Sequence, residues 1–383
     1  MRVFLLAMLG LLAGVAIGYG HAWYDVGDVH EQFRVLNTPP SAEELARAKA
    51  PRVDVVGGMT HDFGIMERLG KRHHTFVIRN VGTAALNLAL SAFDLHNKEV
   101  ILPSLSFVST AHAVILNGGI PIFADINPQT LCIDPNSIKK LISKKTKMIV
   151  PVHFGGLPAD LHKIKRICKE NNLHLVEDAA HASGSIYKKK KIGAHGDMVC
   201  FSFHPVKNLA MPTGGLITIN AKNHKKISID LKEKRWCGIS NRKGTKYDVK
   251  NVGWNYYMNE FSAAIGIEQL KKLNRSNKAR QTIAKKYSNK INLEHKMPFA
   301  QGCSYHLYWI RVKNRNSFRK KMNDLGIETG VHYQPIHTFS MYRQKNHLPV
   351  TDEVGKEIVS IPIHPNLSNT DISKIISSIN KYG

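Results

Sequence analysis

The sequence predicts an α/β fold with a mostly parallel sheet carrying helices on both faces. Three observations predict it. From Asn80 onward, short apolar runs at 98–102, 120–125, 147–152, 173–177, 198–203 and 215–219 read as strands. Helical stretches at 84–94, 108–117, 135–143 and 158–171 lie between most of them, which requires crossover connections and hence parallel pairing. The 383 residues, 43% hydrophobic and 22% charged, suffice for two to three globular domains and exclude wholesale disorder.

The segment ahead of this alternation has another character. Val3 to Tyr19 is an uninterrupted apolar run behind Met1 and Arg2. It matches a short bilayer span or a long signal-peptide core. Trp23 and Tyr24 suit a membrane interface, and Arg2 places the amino terminus on the cytoplasmic side. Residues 1–24 are therefore expected to form a membrane anchor or signal-like helix. Residues 25–80 read as a linker followed by a strand-like segment. Within the latter, HDFG and HTFVIRNVG resemble the opening of a small Ig-like β-sandwich of exported bacterial proteins.

Charge divides the chain at the same place. Residues 1–80 hold nine basic and eight acidic residues, net +1, whereas residues 81–383 hold 45 basic against 21 acidic, net +24. A basic body points to an anionic ligand or surface, and a lysine-biased composition gives the same sign. The run Lys188–Lys191 reads as an exposed hairpin turn. No recognisable nucleic-acid-binding motif accompanies the charge, so nucleic acid is not an expected partner.

The five cysteines, Cys132, Cys168, Cys200, Cys237 and Cys303, lie far apart and form no C-x-x-C. They read as free thiols in a reducing compartment, and no metal site is expected. Walker, G-x-G-x-x-G, H-E-x-x-H and G-x-S-x-G motifs are absent as well.

Ligands of such sheets sit outside the carboxyl ends of the strands, so the residues following each strand matter most. Asn80-Val81-Gly82-Thr83 leads into a helix whose free N–H groups can bind phosphate or simply be capped. Glu177-Asp178-Ala179-Ala180-His181 closes an apolar strand with a carboxylate able to hold a protonated heterocyclic nitrogen. Phe201-Ser202-Phe203-His204-Pro205-Val206-Lys207 closes another, and places a lysine where burial can depress its pKa. Gly253 to Glu260 (GWNYYMNE) is expected to open a long helix reaching about residue 288.

In order and spacing these blocks resemble the DegT/DnrJ/EryC1/StrS sugar aminotransferases, over about residues 81–383. SYHLYWIRV, GIETGVHYQPIH and SIPIHPNLSNTDISKI extend the resemblance to the carboxyl terminus. It implies the type I, aspartate-aminotransferase-like fold of pyridoxal-phosphate enzymes. A large domain would span 81–288 and a small α+β domain 289–383. It further implies that Lys207 forms the imine with pyridoxal phosphate and that Asp178 pairs with the pyridinium nitrogen. Gly82, Thr83 and Ser202 would contact the phosphate, Phe107 would stack on the ring and His181 would lie near the phenolic oxygen. Asn255 would reach the cofactor of a neighbouring subunit, implying a homodimer with shared active sites. His332 and Tyr333 are candidate substrate contacts.

The implied reaction transfers an amino group from an amino acid such as glutamate to a keto-sugar linked to a nucleoside diphosphate. Lys207 favours transamination, because family members that dehydrate the sugar carry histidine in its place. Two features depart from the family. The T-T-G-E-G-G-like run is here Met211-Pro212-Thr213-Gly214-Gly215 with no acid, and the residues before 81 look foreign. A membrane-anchored surface or interaction protein with an inactive aminotransferase-like body is the alternative reading. The catalytic part is expected in the cytoplasm, tethered through residues 3–19.

Overall fold

The computed structural model describes residues 81–343 and 347–383, together with two short strands, β1 (Arg52–Val55) and β2 (Met59–Asp62). These two pair antiparallel, Arg52 opposite Asp62. The apolar run 3–19, the linker and the remainder of 25–80 lie outside the described residues. Among those that are described, no helix is long and apolar enough to cross a membrane.

The body begins with α1 (Val81–Leu90) and continues through β3 (Glu99–Pro103), α2 (Ser109–Leu116), β4 (Ile120–Ala124), α3 (Pro135–Leu141), β5 (Thr146–Ile149), α4 (Leu161–Glu170) and β6 (His174–Asp178). A small hairpin, β7 (Ile186–Tyr187) and β8 (Lys190–Lys191), turns through the expected exposed lysines. Then come β9 (Met198–Ser202), β10 (Gly215–Ile219), α5 (His224–Arg235) and a second hairpin, β11 (Ile239–Lys243) and β12 (Lys246–Val249). The long α6 (Glu260–Lys290) leads to β13 (Tyr308–Arg311), α7 (Arg315–Asp324), α8 (Pro349–Glu357), β14 (Ile358–Ile361) and α9 (Asn369–Tyr382).

All six expected strands form one sheet in the order β10-β9-β6-β5-β3-β4, parallel except for β10. Side chains alternate across it. Val100, Leu102, Met148, Val150 and Val176 face one apolar layer, containing Leu86, Leu90 and Val114 of α1 and α2. Ile101, Ile149 and Leu175 face the other, containing Ile164 and Ile167 of α4. Burial on both faces explains why these strands read as continuous apolar runs.

Local signals set the helix boundaries. Asp134 accepts from the Asn136 N–H at 3.0 Å ahead of Pro135, and Asp160 accepts from the Lys163 N–H at 3.2 Å. Ser368 and Asp371 form a reciprocal capping box on α9. The long helix starts at Glu260, later than Gly253, because Asn259 is its cap: its side chain accepts from the Ser262 N–H at 2.8 Å.

The antiparallel pair β13–β14 packs with α7, α8 and α9 as a small α+β portion, and its Trp309, Ile310 and Val359 share one apolar cluster with Ile149 of the sheet. Two polar contacts join this portion to the strand ends. Asp125, just after β4, accepts from the N–H groups of Val350 and Thr351 at 3.1 and 2.8 Å, capping α8. Ser104, after β3, lies 2.6 Å from Nδ1 of His337, whose Nε2 lies 2.8 Å from Asp352 of the same helix.

Candidate active site

The carboxyl ends of β3, β6 and β9 open on one side of the sheet, where strand order reverses on either side of β3. Asp178 ends β6 and is buried, 8% exposed. Its Oδ2 accepts from the Thr110 hydroxyl at 2.8 Å and its Oδ1 from the Ala180 N–H at 3.1 Å. The hydroxyls of Thr110 and Ser106 are themselves 3.1 Å apart. The carboxylate is thus oriented, with lone pairs left over for one further donor.

Lys207 stands in the loop after β9, its own N–H donating to the His204 carbonyl at 2.8 Å. Burial pushes its pKa down to about 8, with Asp178 pulling the other way. A fraction of the amine is therefore neutral near physiological pH, as a nucleophile or base requires.

Three histidines feel the charge of this lysine. His181 is held well below its ordinary range by burial, then by Lys207 and His332. His306 is lowered in the same way by burial and Lys207, with His181, Arg280 and His332 adding to it. His332 is pushed to about 4 by burial, Lys207 and Arg319. The rings of His181 and His306 are 4.4 Å apart. The Gly155 N–H donates to His181 Nδ1 at 3.3 Å, so the ring proton sits on Nε2 and is given to the Tyr333 hydroxyl at 3.1 Å. Burial raises the Tyr333 pKa, which keeps the phenol protonated and leaves its O–H to donate elsewhere.

Most of the expected residues therefore converge. Phe107 approaches Tyr333 with ring centroids 5.9 Å apart, and its 37% exposure leaves a face open. Ser202 is buried at the end of β9. The helix α1, which carries Gly82 and Thr83 in its first described turn, packs against the same strand, its Ala85 carbonyl 3.9 Å from the Cys200 thiol. Asn255 is the exception: it is exposed, pairs with Trp236 through the backbone, and no contact described for it reaches Lys207 or Asp178.

Several members of the site are invisible to motif reading. Thr110 orients Asp178 from 68 residues away. His153 and Glu177 form a wholly buried pair at 2.8 Å beneath the strand ends. Gly196 donates its N–H to the same carboxylate, and a Cβ there would stand 2.7 Å from Glu177 Oε1. The only sequence signal for this pair is that both residues immediately follow apolar strand positions.

These residues fit pyridoxal phosphate. A half-buried lysine of lowered pKa, an oriented carboxylate, an open aromatic face and a helix amino terminus match in turn its aldehyde, ring nitrogen, ring and phosphate.

Comparison with known proteins agrees. The profile of the DegT/DnrJ/EryC1/StrS aminotransferase family matches residues 64–380. That match starts upstream of the block at 81 where the resemblance opens in the sequence. An uncharacterized protein of Methanocaldococcus jannaschii is 33% identical over 324 residues, 79% of this chain and 84% of that protein. Helicobacter pylori PseC, an aminotransferase involved in the biosynthesis of pseudoaminic acid, superposes with a TM-score of 0.73 at 28% identity, covering 80% of this chain and 85% of its own. The sugar aminotransferase CalS13 of Micromonospora echinospora gives 0.73 at 27% identity, covering 78% and 85%. The chain belongs to the DegT/DnrJ/EryC1/StrS aminotransferase family and is a pyridoxal-phosphate-dependent sugar aminotransferase.

Proposed function

We propose that the chain moves an amino group from an amino acid such as glutamate to the keto group of a sugar linked to a nucleoside diphosphate. The observation that carries this reading is Lys207 itself: an amine lowered to about 8 by burial, within the electrostatic reach of an Asp178 oriented by Thr110. Pyridoxal phosphate, when bound, supplies an electron-accepting ring that makes a proton on the substrate's α-carbon removable.

The chain's residues divide the remaining work. Lys207 would hold the cofactor at its aldehyde group, and its amine of lowered pKa would be the chain's group able to accept and return a proton there. Asp178 holds a proton at the ring nitrogen and so keeps the ring electron-poor. Gly82, Thr83 and Ser202 hold the phosphate, Phe107 covers the ring and His181 meets the phenolic oxygen. His332 and Tyr333 contact substrate, Tyr333 with an O–H left free by its bond from His181. A net charge of +24 over residues 81–383 supports a diphosphate-bearing substrate through electrostatic attraction.

In this reading the enzyme is a homodimer whose sites are shared, Asn255 serving the partner's cofactor. The large domain spans 81–288 and the small one 289–383, behind an anchor over 1–24 and a linker over 25–80. Five free cysteines, four of them buried, support a cytoplasmic catalytic body, tethered through residues 3–19.

The test is the visible spectrum of protein incubated with pyridoxal phosphate, beside Lys207→Ala. A yellow band that borohydride fixes onto Lys207 and glutamate bleaches is expected. A folded wild-type protein with no such band would overturn the assignment of Lys207, and a band that only another amino acid bleaches would replace glutamate.

A further inference from the structure

Backbone neighbours fix the protonation of the buried pair beneath the site. The Ala159 N–H donates to His153 Nδ1 at 3.1 Å, and since a backbone N–H can only donate, Nδ1 carries no proton. A neutral imidazole then holds its proton on Nε2 and gives it to Glu177 Oε2 at 2.8 Å. Glu177 Oε1 accepts from the Gly196 N–H. Both carboxyl oxygens accept, and neither has a partner for a proton of its own. His153 is therefore neutral and Glu177 a carboxylate, both side chains wholly buried. Among the described residues no lysine or arginine pairs with Glu177, and a buried carboxylate without a cation is costly.

The loop that His153 anchors holds both Asp178 and His181. The Asp178 N–H donates to the Pro151 carbonyl at 2.9 Å, and the His153 N–H donates to the Asp178 carbonyl at 3.1 Å. Residues 151 and 153 thus clasp Asp178 from either side. The His153 ring then closes the loop on Ala159, and inside it the Gly155 N–H reaches His181 Nδ1 at 3.3 Å. That contact leaves the His181 proton on Nε2, facing Tyr333.

The backbone around His181 is held from elsewhere. Ser304 Oγ donates to the His181 carbonyl at 2.9 Å, and Asn208 Nδ2 donates to the Ser304 carbonyl at 2.8 Å. Asn208 Nδ2 also donates to Asn277 Oδ1 at 2.9 Å, and Asn277 Nδ2 to the Ser183 carbonyl at 2.9 Å. Among the described contacts, only the Gly155 N–H addresses Nδ1 of the His181 ring. We propose that His153 and Glu177 are positioning residues: their bond pins segment 151–159 to β6 and so sets the Asp178 carboxylate and the His181 tautomer together. The inference rests on Asp178 and His181 meeting the cofactor ring as proposed above.

The first test needs no cofactor. Imidazole nitrogen NMR of the cofactor-free protein, assigned with His153→Gln and His181→Gln, should find both histidines neutral with the proton on Nε2 throughout neutral pH. A His153 proton on Nδ1, or an imidazolium there, overturns the proposal. The second test removes the pair without stranding a charge. His153→Leu with Glu177→Leu should fold, because both polar partners leave together. If the pair positions the loop, His181 in this double variant populates both tautomers. A folded double variant whose His181 keeps its proton on Nε2 shows the pair to be structural only and sinks the idea. In the loaded enzyme the double variant should lower turnover about 10-fold or more, with KM little changed. With nitrogen-labelled pyridoxal phosphate, the ring nitrogen should also be less protonated in it than in wild type. Equal turnover and equal ring protonation would refute the role toward Asp178. A ring nitrogen unprotonated in wild type as well would refute the assignment of Asp178 itself, while the cofactor-free tautomers would still decide the positioning of His181.

Discussion

The pocket around Lys207 and the stretch from Trp236 to Leu270 sit on the same chain and are built on opposite terms. In the pocket, Asp178, His181, Asn208 and Asn277 each have named partners within the chain. Along the stretch, Val252 and Phe261 are 86% and 84% exposed, Tyr257, Ile267 and Leu270 are exposed beside them, and Asn255 reaches no site residue. An apolar surface of this extent is what an interface between copies requires. The pocket side chains are thus tied within the chain, whereas the stretch leaves its apolar side chains exposed.

Substitutions can break that comparison. The largest effect is expected inside the pocket: Asp178→Asn should lower turnover about 10²–10³-fold, as loss of one oriented electrostatic partner does, with the fold retained by circular dichroism. Next is the buried pair below it. His153→Ala leaves Glu177 with the Gly196 N–H alone and should cost about 3–5 kcal/mol in urea denaturation. A loss under 1 kcal/mol would mean that the pair contributes little to holding the strand ends together.

On the outer stretch the expectation inverts. Phe261→Ser with Leu270→Ser should leave the far-ultraviolet spectrum unchanged and shift the sedimenting species from dimer to monomer. A wild-type protein that already sediments as a monomer would refute the shared site.

The smallest effect is on stability at Lys207. Its pKa is about 8 in the fold against 10.5 when exposed, so below pH 8 both states bind the proton and the fold carries the full cost of burying an ammonium. Between pH 8 and 10.5 the unfolded chain binds more protons than the native one, and stability rises with pH. In cofactor-free protein, Lys207→Met should therefore melt higher at pH 7, and the gain should shrink over that window. A gain independent of pH would show that packing, not charge, produced it.

What the sequence disclosed follows the range of each interaction. The six strands were legible because burial on both faces makes them uniformly apolar, and Lys207, Asp178 and His181 because each sits within a few residues of a strand end. The sequence suggests a start for the long helix at Gly253, whereas the cap at Asn259, three residues before Ser262, marks it. Thr110, His306, Asn208 and Asn277 stayed hidden because their partners lie 68 to 98 residues away. Hydrogen bonds of that span leave no periodic trace.

The clasp between Asp125 and helix α8 joins residues 226 positions apart. During synthesis the carboxylate at the edge strand emerges long before the helix it caps, and Ser104 likewise waits for His337. Such contacts form last and make folding slow. A ribosome that stops before Pro349 would release a sheet whose edge carboxylate, Asp125, lacks the helix it caps. Carboxyl-terminal truncation should accordingly yield aggregated protein rather than a smaller soluble domain.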